Sequence, residues 1–285
     1  MKNIFPKIIF LFFISSIFCN ENEKYSFISQ IPEINKTYKL HTDRTLSFTI
    51  PSVGYIQFVS SYNEIGKYLR MEDELHVVES TLTEMETDNS IANIEIMDYY
   101  WQAMNNVSCY VYINNDGRIK HIKPVKKDDN YLQEAFEGAY LGMFERSYKY
   151  PFSKQAIDKK VGESWTTASD SSKFHFTMNS PPSFAWIKTT FQLKKVRKTR
   201  GRNIAYIDVI DSLDIDVAIK LKFMNEERFI KGRAIGTAEG AFKWDIDANR
   251  VISFRLVSNL EGDFEMDNEK FLTKFKRSEK HKALD

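Results

Sequence analysis

The chain has 285 residues, 42% hydrophobic and 28% charged, enough for one large or two small globular domains. Its 40 basic and 39 acidic residues nearly cancel, to a formal net charge of +1. That balance excludes a bulk electrostatic pull of the whole chain towards nucleic acid or an anionic membrane.

The first 19 residues read as an export leader. Lys2 and Lys7 supply a positive start, and the greasy run Ile8–Phe18 follows, broken by Ser15 and Ser16. A bilayer span needs roughly 20 apolar residues, so this run is a signal peptide rather than a membrane helix, and no later segment approaches that length. Cys19 then has two readings. It is the lipid-acceptor cysteine of an anchored protein, with 20–35 as a polar tether, or it belongs to a leader cleaved near Ser16 or Cys19. The tether "NENEKYS" suits the first reading, and Phe18, where lipoprotein leaders carry a small residue, suits the second. In either case Cys109 is left as the single cysteine of the body, which precludes an internal disulfide. Its setting, "VSCYVYI", predicts a small buried hydrophobe.

From residue 36 the pattern is alternation of apolar and polar residues, the signature of half-buried strands. Strand-like stretches are predicted at 38–50 (two short strands around Asp43-Arg44), 54–62, 66–87 and 92–104. A hairpin follows around Asp116-Gly117, a pair that tolerates positive φ. One segment breaks the rule. Between Asp128 or Asp129 and Pro151, the residues Tyr131, Leu132, Ala135, Phe136, Tyr140, Met143 and Phe144 recur at spacings of three and four. That period predicts an amphipathic helix over 129–149. Strands resume at 159–167 and 173–178, followed by long alternating runs from Phe184 to Met266. Similar strand–turn–strand stretches at 110–122 and 242–254 hint at two β-halves, 36–127 and 150–275, with the helix between them. The charged residues 276–285 are expected to fray. The fold class expected from all this is mainly β (α+β): a single domain over 36–275, built as a large curved antiparallel sheet. That sheet should be half-barrel-like, with the long helix packed on its concave face.

Constellations that could carry chemistry are sparse. Asp208, Asp211, Asp214 and Asp216 alternate with Ile207, Val209, Ile215 and Val217, which places the acids outside and the aliphatics inside. They lack the mid-loop glycine and terminal glutamate of a calcium loop. "LKKVRKTRGR" (193–202) is the densest basic run, with a turn at Thr199–Arg202. Lys194 and Lys195 should face Asp208 and Asp211 across the ladder, and the rival reading is a loop that touches lipid headgroups. The five histidines show no metal-ligand spacing, and His121 and His175 read as surface or edge positions. No phosphate-cradling loop, nucleophile elbow or catalytic triad is visible, so neither metal, cofactor nor enzymatic activity is expected.

The aromatic content is high, 14%, with 22 Phe and 14 Tyr. Burial in a core is the usual fate of such rings. The sharper expectation is an apolar cavity between helix and sheet, lined by Trp101, Phe136, Tyr140, Phe144, Trp165, Trp186, Phe223 and Trp244, which would accept an acyl chain or another hydrophobic ligand.

The leader, "YPFSKQAIDKKVGESWT" after a helix, "FQLKKVRKTRGRNIAYIDV" and "RAIGTAEGAFKWDIDANRVISFRL" together resemble uncharacterised bacterial envelope lipoproteins. That family carries a Val-Gly-Asp/Glu-Ser/Thr-Trp motif, here Val161-Gly162-Glu163-Ser164-Trp165, then a glycine-bearing strand and an acidic-to-basic hairpin. Its architecture is similar to the half-barrels of lipoprotein-localisation factors, which shelter acyl chains. The resemblance implies an exported protein, periplasmic or anchored to the outer membrane, that binds a lipid. The alternative is a structural or protein-interaction lipoprotein with an envelope protein as partner. No nucleic-acid partner and no transmembrane span are expected.

Overall fold

A computed structural model describes residues 23–27, 35–50, 54–89, 105–113, 119–125, 156–168, 172–174, 181–223, 226–248 and 250–284. Twelve strands account for nearly all of them: β1 (Thr37–Ile50), β2 (Gly54–Glu72), β3 (Leu75–Asn89), β4 (Ser108–Ile113), β5 (Ile119–Pro124), β6 (Ser164–Ala168), β7 (Ser172–Phe174), β8 (Ser183–Thr199), β9 (Arg202–Phe223), β10 (Glu226–Asp245), β11 (Arg250–Met266) and β12 (Glu269–Leu284). They form one sheet in the order β5-β4-β3-β2-β1-β12-β11-β10-β9-β8-β6, with β7 also on β8. Every ladder is antiparallel.

Turn chemistry fixes the register of the long hairpins. Asp73-Glu74, Arg200-Gly201 and Asp267-Asn268 join consecutive strands as two-residue turns, and all six residues have φ between 49° and 82°. Such turns match the right-handed twist of the strands they join. The bound at Asp73-Glu74 divides into two strands what alternation alone read as one stretch, 66–87. Conversely, Asp43-Arg44 is no turn, and β1 runs unbroken through it.

The expected half-barrel with a helix on its concave face is overturned. The strands make a single open antiparallel sheet, and among the described residues no helix packs on it. Residues 129–149 themselves lie outside the described residues, as do the leader with Cys19, the Asp116-Gly117 turn and residues 92–104. One-sided alternation says only that a strand has a dry face, not what dries it. Here the chain brings its last strand beside its first, and the β1–β12 ladder joins β2–β5 to β6–β11 in mid-sheet. The charged tail expected to fray is therefore an interior strand: His281 pairs with Thr42 on one side and Phe254 on the other.

One face of the sheet holds the core. On β9, Ile207, Val209, Leu213, Val217 and Ile219 are buried there, while Asp208 points away. Each such aliphatic contributes about 1.5–3 kcal/mol when fully buried. The larger cluster spans β6, β8–β12, β1 and β2, and gathers Tyr25, Phe27 and Ala156 from outside the strands. A smaller one lies on β2–β5 around Tyr62, Val78, Leu82, Cys109, Val111 and Ile122. A row of rings crosses the larger cluster: Phe27 stacks on Trp165 at 5.7 Å and Trp165 on Phe191 at 5.3 Å. Phe242 and Phe254 continue it, 4.2 Å apart, and Phe254 reaches the His281 imidazole at 5.5 Å.

On β10 the core face inverts the usual size pattern. Its inward residues from 232 to 240 are Gly232, Ala234, Gly236, Ala238 and Gly240, and the bulky Ile235 points outward, 60% exposed. A β-carbon at Gly236 would run into the backbone of Asn259 and Leu260 on β11. These glycines are there because the two strands approach too closely for a side chain.

Candidate functional site

Two polar features interrupt the apolar pattern, one on each face. On the core face, between the two clusters, Glu279 of β12 is 1% exposed and accepts hydrogen bonds from Arg44 Nη2 at 3.1 Å and Arg277 Nη2 at 2.8 Å. His281 Nε2 lies 2.7 Å from the same carboxylate, and its Nδ1 lies 2.9 Å from Thr42 Oγ1. With Nε2–H donating to Glu279, Nδ1 accepts the threonine hydroxyl. Beside it, Glu64 on β2 accepts from Tyr38 Oη at 3.0 Å and Ser80 Oγ at 3.1 Å. The phenol of Tyr62 lies between the two carboxylates. Burial pushes its pKa up, Arg44 opposes that, and Glu279 and Glu64 reinforce it.

Thr42, His281 and Glu279 present hydroxyl, imidazole and carboxylate in line, the order used for nucleophilic catalysis. Thr42, however, is 1% exposed and the carboxylate is held by two guanidinium groups. The hydroxyl is thus closed to solvent. The arrangement ties β1, β2 and β12 together and satisfies polar groups that burial would otherwise penalise.

On the outer face, an open groove of about 1150 Å³ runs over β10, β11, β12 and the β1–β2 end. Cross-strand register builds it. Ile235 lies between Asp214 and Glu261, Glu261 is opposite Lys274, and Leu272 is opposite Asp263. Tyr55, Ile235 and Leu272 are 56%, 60% and 59% exposed, three apolar side chains open to solvent along the groove. Charged groups stand between and around them. Arg233 donates to Asp214 through Nε at 2.7 Å and through Nη2, which holds the carboxyl below its usual range. Lys274 lies 3.9 Å from Glu261, whereas Lys276 faces the neutral Asn259 and Ser47 across its two ladders.

The residues expected to line a cavity are not gathered in this groove. Trp165 and Trp244 are 4% and 1% exposed and belong to the larger core cluster. Trp186 stands on the opposite, outer face, 41% exposed and level with Asp214. Phe223 ends β9 opposite Glu226. Trp101, Phe136, Tyr140 and Phe144 lie outside the described residues.

The acidic run on β9 divides in a way its spacing foretold only in part. Asp208 meets Lys194 at 3.6 Å on the outer face, as expected. Asp211 has the parity of the aliphatics and is fully buried, and the residues opposite it are Thr189 and Ala238 rather than a lysine. Lys195 instead faces Tyr206, because a bulge shifts the register after Leu193. His121 lies half-buried on the edge strand β5, stacked on Tyr112 at 4.0 Å, and His175 is outside the described residues. His76 and His281 are buried, although nothing in the alternation around them signals it.

Sequence reasoning missed the groove because its apolar members stand singly among charges. Ile235 within "GRAIGTAEG" reads as the core residue of its strand, with small residues outside. Only the neighbouring strands' parity shows the reverse. Among the described residues, no three His, Cys, Asp or Glu side chains are grouped to hold a metal ion, and no helix is long and apolar enough to cross a membrane. No protein-family model and no curated protein matches the chain.

Proposed function

We propose that this chain is a non-catalytic exported envelope protein that holds a hydrophobic, acyl-chain ligand in the outer groove. The supporting observation is the groove itself: about 1150 Å³ of open space, with the exposed apolar side chains of Tyr55, Ile235 and Leu272 among its lining residues. Ligand sites pair apolar surface with a few polar groups that fix orientation. Here Lys276, with neutral neighbours across both ladders, stands at the groove as a partner for an acyl carboxylate. Export rests on the leader, residues 1–19, with Cys19 either the anchor or removed, and on the likeness to envelope lipoproteins around Val161–Trp165. A binding rather than catalytic role is favoured by the burial of the Thr42–His281–Glu279 group.

Titration of the delipidated protein with a fluorescent fatty acid tests this reading. Saturable binding should be weakened at least about tenfold by Ile235→Asp or Leu272→Asp, since each change puts a charge against the chain of the ligand. Lys276→Gln should weaken a fatty acid more than its uncharged methyl ester. Saturable binding that ignores all three substitutions, or none at all, would refute the groove as the site.

A further inference from the structure

The basic run 193–202 folds into the β8–β9 hairpin, and its charges are arranged unevenly. Between Lys194 and Arg202 there are six Lys or Arg residues and no acid. Two of the six are answered: Lys194 by Asp208 at 3.6 Å, and Arg202 by the buried Asp245 at 3.2 Å. Asp247 accepts from the backbone and side-chain nitrogens of Asn203. Asp208, Asp245 and Asp247 are thus engaged. Lys195, Arg197, Lys198 and Arg200 have no acidic partner among the described residues.

Three cations gather on the outer face below the tip. Lys195 on β8 and Lys243 on β10 flank Tyr206 across both of its ladders. Their Nζ atoms lie 4.9 Å and 5.9 Å from its ring centroid, and the Arg197 guanidinium carbon lies at 6.0 Å. The ring attracts each cation by its quadrupole, which offsets part of their mutual repulsion and fixes them together on one side of the sheet. Such a concentration of like charge on a fold of nearly neutral total charge has local reach only, within about 8 Å at physiological salt. It therefore acts on a surface already close by, rather than steering a distant polyanion.

We infer that this hairpin face, Lys195, Arg197 and Lys243 around Tyr206 with Arg200 at the turn, docks on the anionic phospholipid headgroups of a membrane. Headgroup phosphates are mobile within their plane and can gather under a fixed set of cations. A protruding tip, Arg200-Gly201, meets a flat surface without needing a matching groove. A single-stranded nucleic acid would call for an open aromatic platform, and the Tyr206 ring is already taken up by three cations. The inference is separate from the acyl groove, because none of its residues lines that groove.

Vesicle flotation of the full-length chain tests it. Vesicles of pure phosphatidylcholine are compared with vesicles containing 30% phosphatidylglycerol, a composition chosen on the order of that of natural anionic membranes. Any contribution of the N-terminus, including Lys2 and Lys7, is common to every variant. Each basic residue near an anionic surface is worth about fivefold in binding, so Lys195→Glu/Arg197→Glu/Lys243→Glu should lose at least about a hundredfold on the anionic vesicles. The Gln triple should fall between it and the parent. Lys188→Glu, on the outer face of the same strand and about 23 Å away, should bind as the parent does. Circular dichroism confirms that the variants fold, and the Gln triple carries the test if the Glu triple does not. Equal binding to both vesicles, a triple no weaker than Lys188→Glu, or tighter binding to an oligonucleotide or an acidic protein than to the vesicles would overturn the inference.

Discussion

Glu279→Gln is the substitution that probes the seam of the sheet most sharply. Glu279 stands on the last strand and binds Arg44 on the first, so its hydrogen bonds cross the ladder that joins the two parts of the sheet. Its Oε1 takes Arg44 Nη2 and His281 Nε2, and its Oε2 takes Arg277 Nη2. An amide of the same shape must turn an NH2 towards a guanidinium whichever way it is placed. One donor then meets another, and the negative charge is gone. Removing one member of a buried ion pair costs about 3–5 kcal/mol. Arg44 and Arg277 are 14% and 28% exposed and can turn partly towards water, which favours the lower end, about 3 kcal/mol. Against a total stability of about 5–15 kcal/mol that is a large shift. Equilibrium urea unfolding reads it as a lower midpoint with an unchanged slope. A shift of less than about 1 kcal/mol would refute the idea that this carboxylate joins the first and last strands.

Gly236→Val should destabilise by about 1–3 kcal/mol or prevent folding, because the new side chain meets backbone rather than a movable group. Thermal unfolding checks it, and a wild-type midpoint would show that β10 and β11 are not so close. Burial, reinforced by Glu64 and Glu79, pushes the Cys109 thiol well above its usual range, so it should resist thiol reagents until the protein unfolds. Labelling at the rate of a free thiol in the native protein would contradict its burial. Cys109 and Tyr62 both have folded pKa values raised above their unfolded ones. The stability they contribute is full below the unfolded values, and it is lost as pH rises through about 8.5 and then about 10 towards the folded values. Urea midpoints should therefore fall in that alkaline window, and less steeply in Cys109→Ala. By contrast, the Asp214–Arg233 pair is solvent-exposed, so Asp214→Asn should leave the urea midpoint unchanged between neutral and mildly acid pH.

The strands were legible in the sequence wherever one side of each was uniformly apolar. β9 is the clearest case: its odd positions carry the core, and even Asp211 obeys the parity although it breaks the chemistry. Turns were legible where glycine marked them, as at Arg200-Gly201, and missed where Asp73-Glu74 adopt positive φ without glycine. The last strand was misread because its inward residues include Arg277, Glu279 and His281, a polar network dry only in company with Thr42 and Arg44 from the far end of the chain. No local pattern can signal that. Likewise, a one-faced sheet implies a cover and does not name it, which is how a helix came to be expected on the concave side. The groove escaped for the opposite reason. Ile235 and Leu272 are bulky residues on the wet face, and a rule that sends large aliphatics inward places them wrongly.

The most direct test of a held acyl chain is photo-crosslinking of the full-length protein with a diazirine-bearing fatty acid, followed by peptide sequencing. Saturable adducts should fall on the outer face around Tyr55, Ile235 and Leu272, and disappear when unlabelled fatty acid is added. Adducts scattered over the chain, or confined to strands β3–β5 at the other side of the sheet, would contradict it.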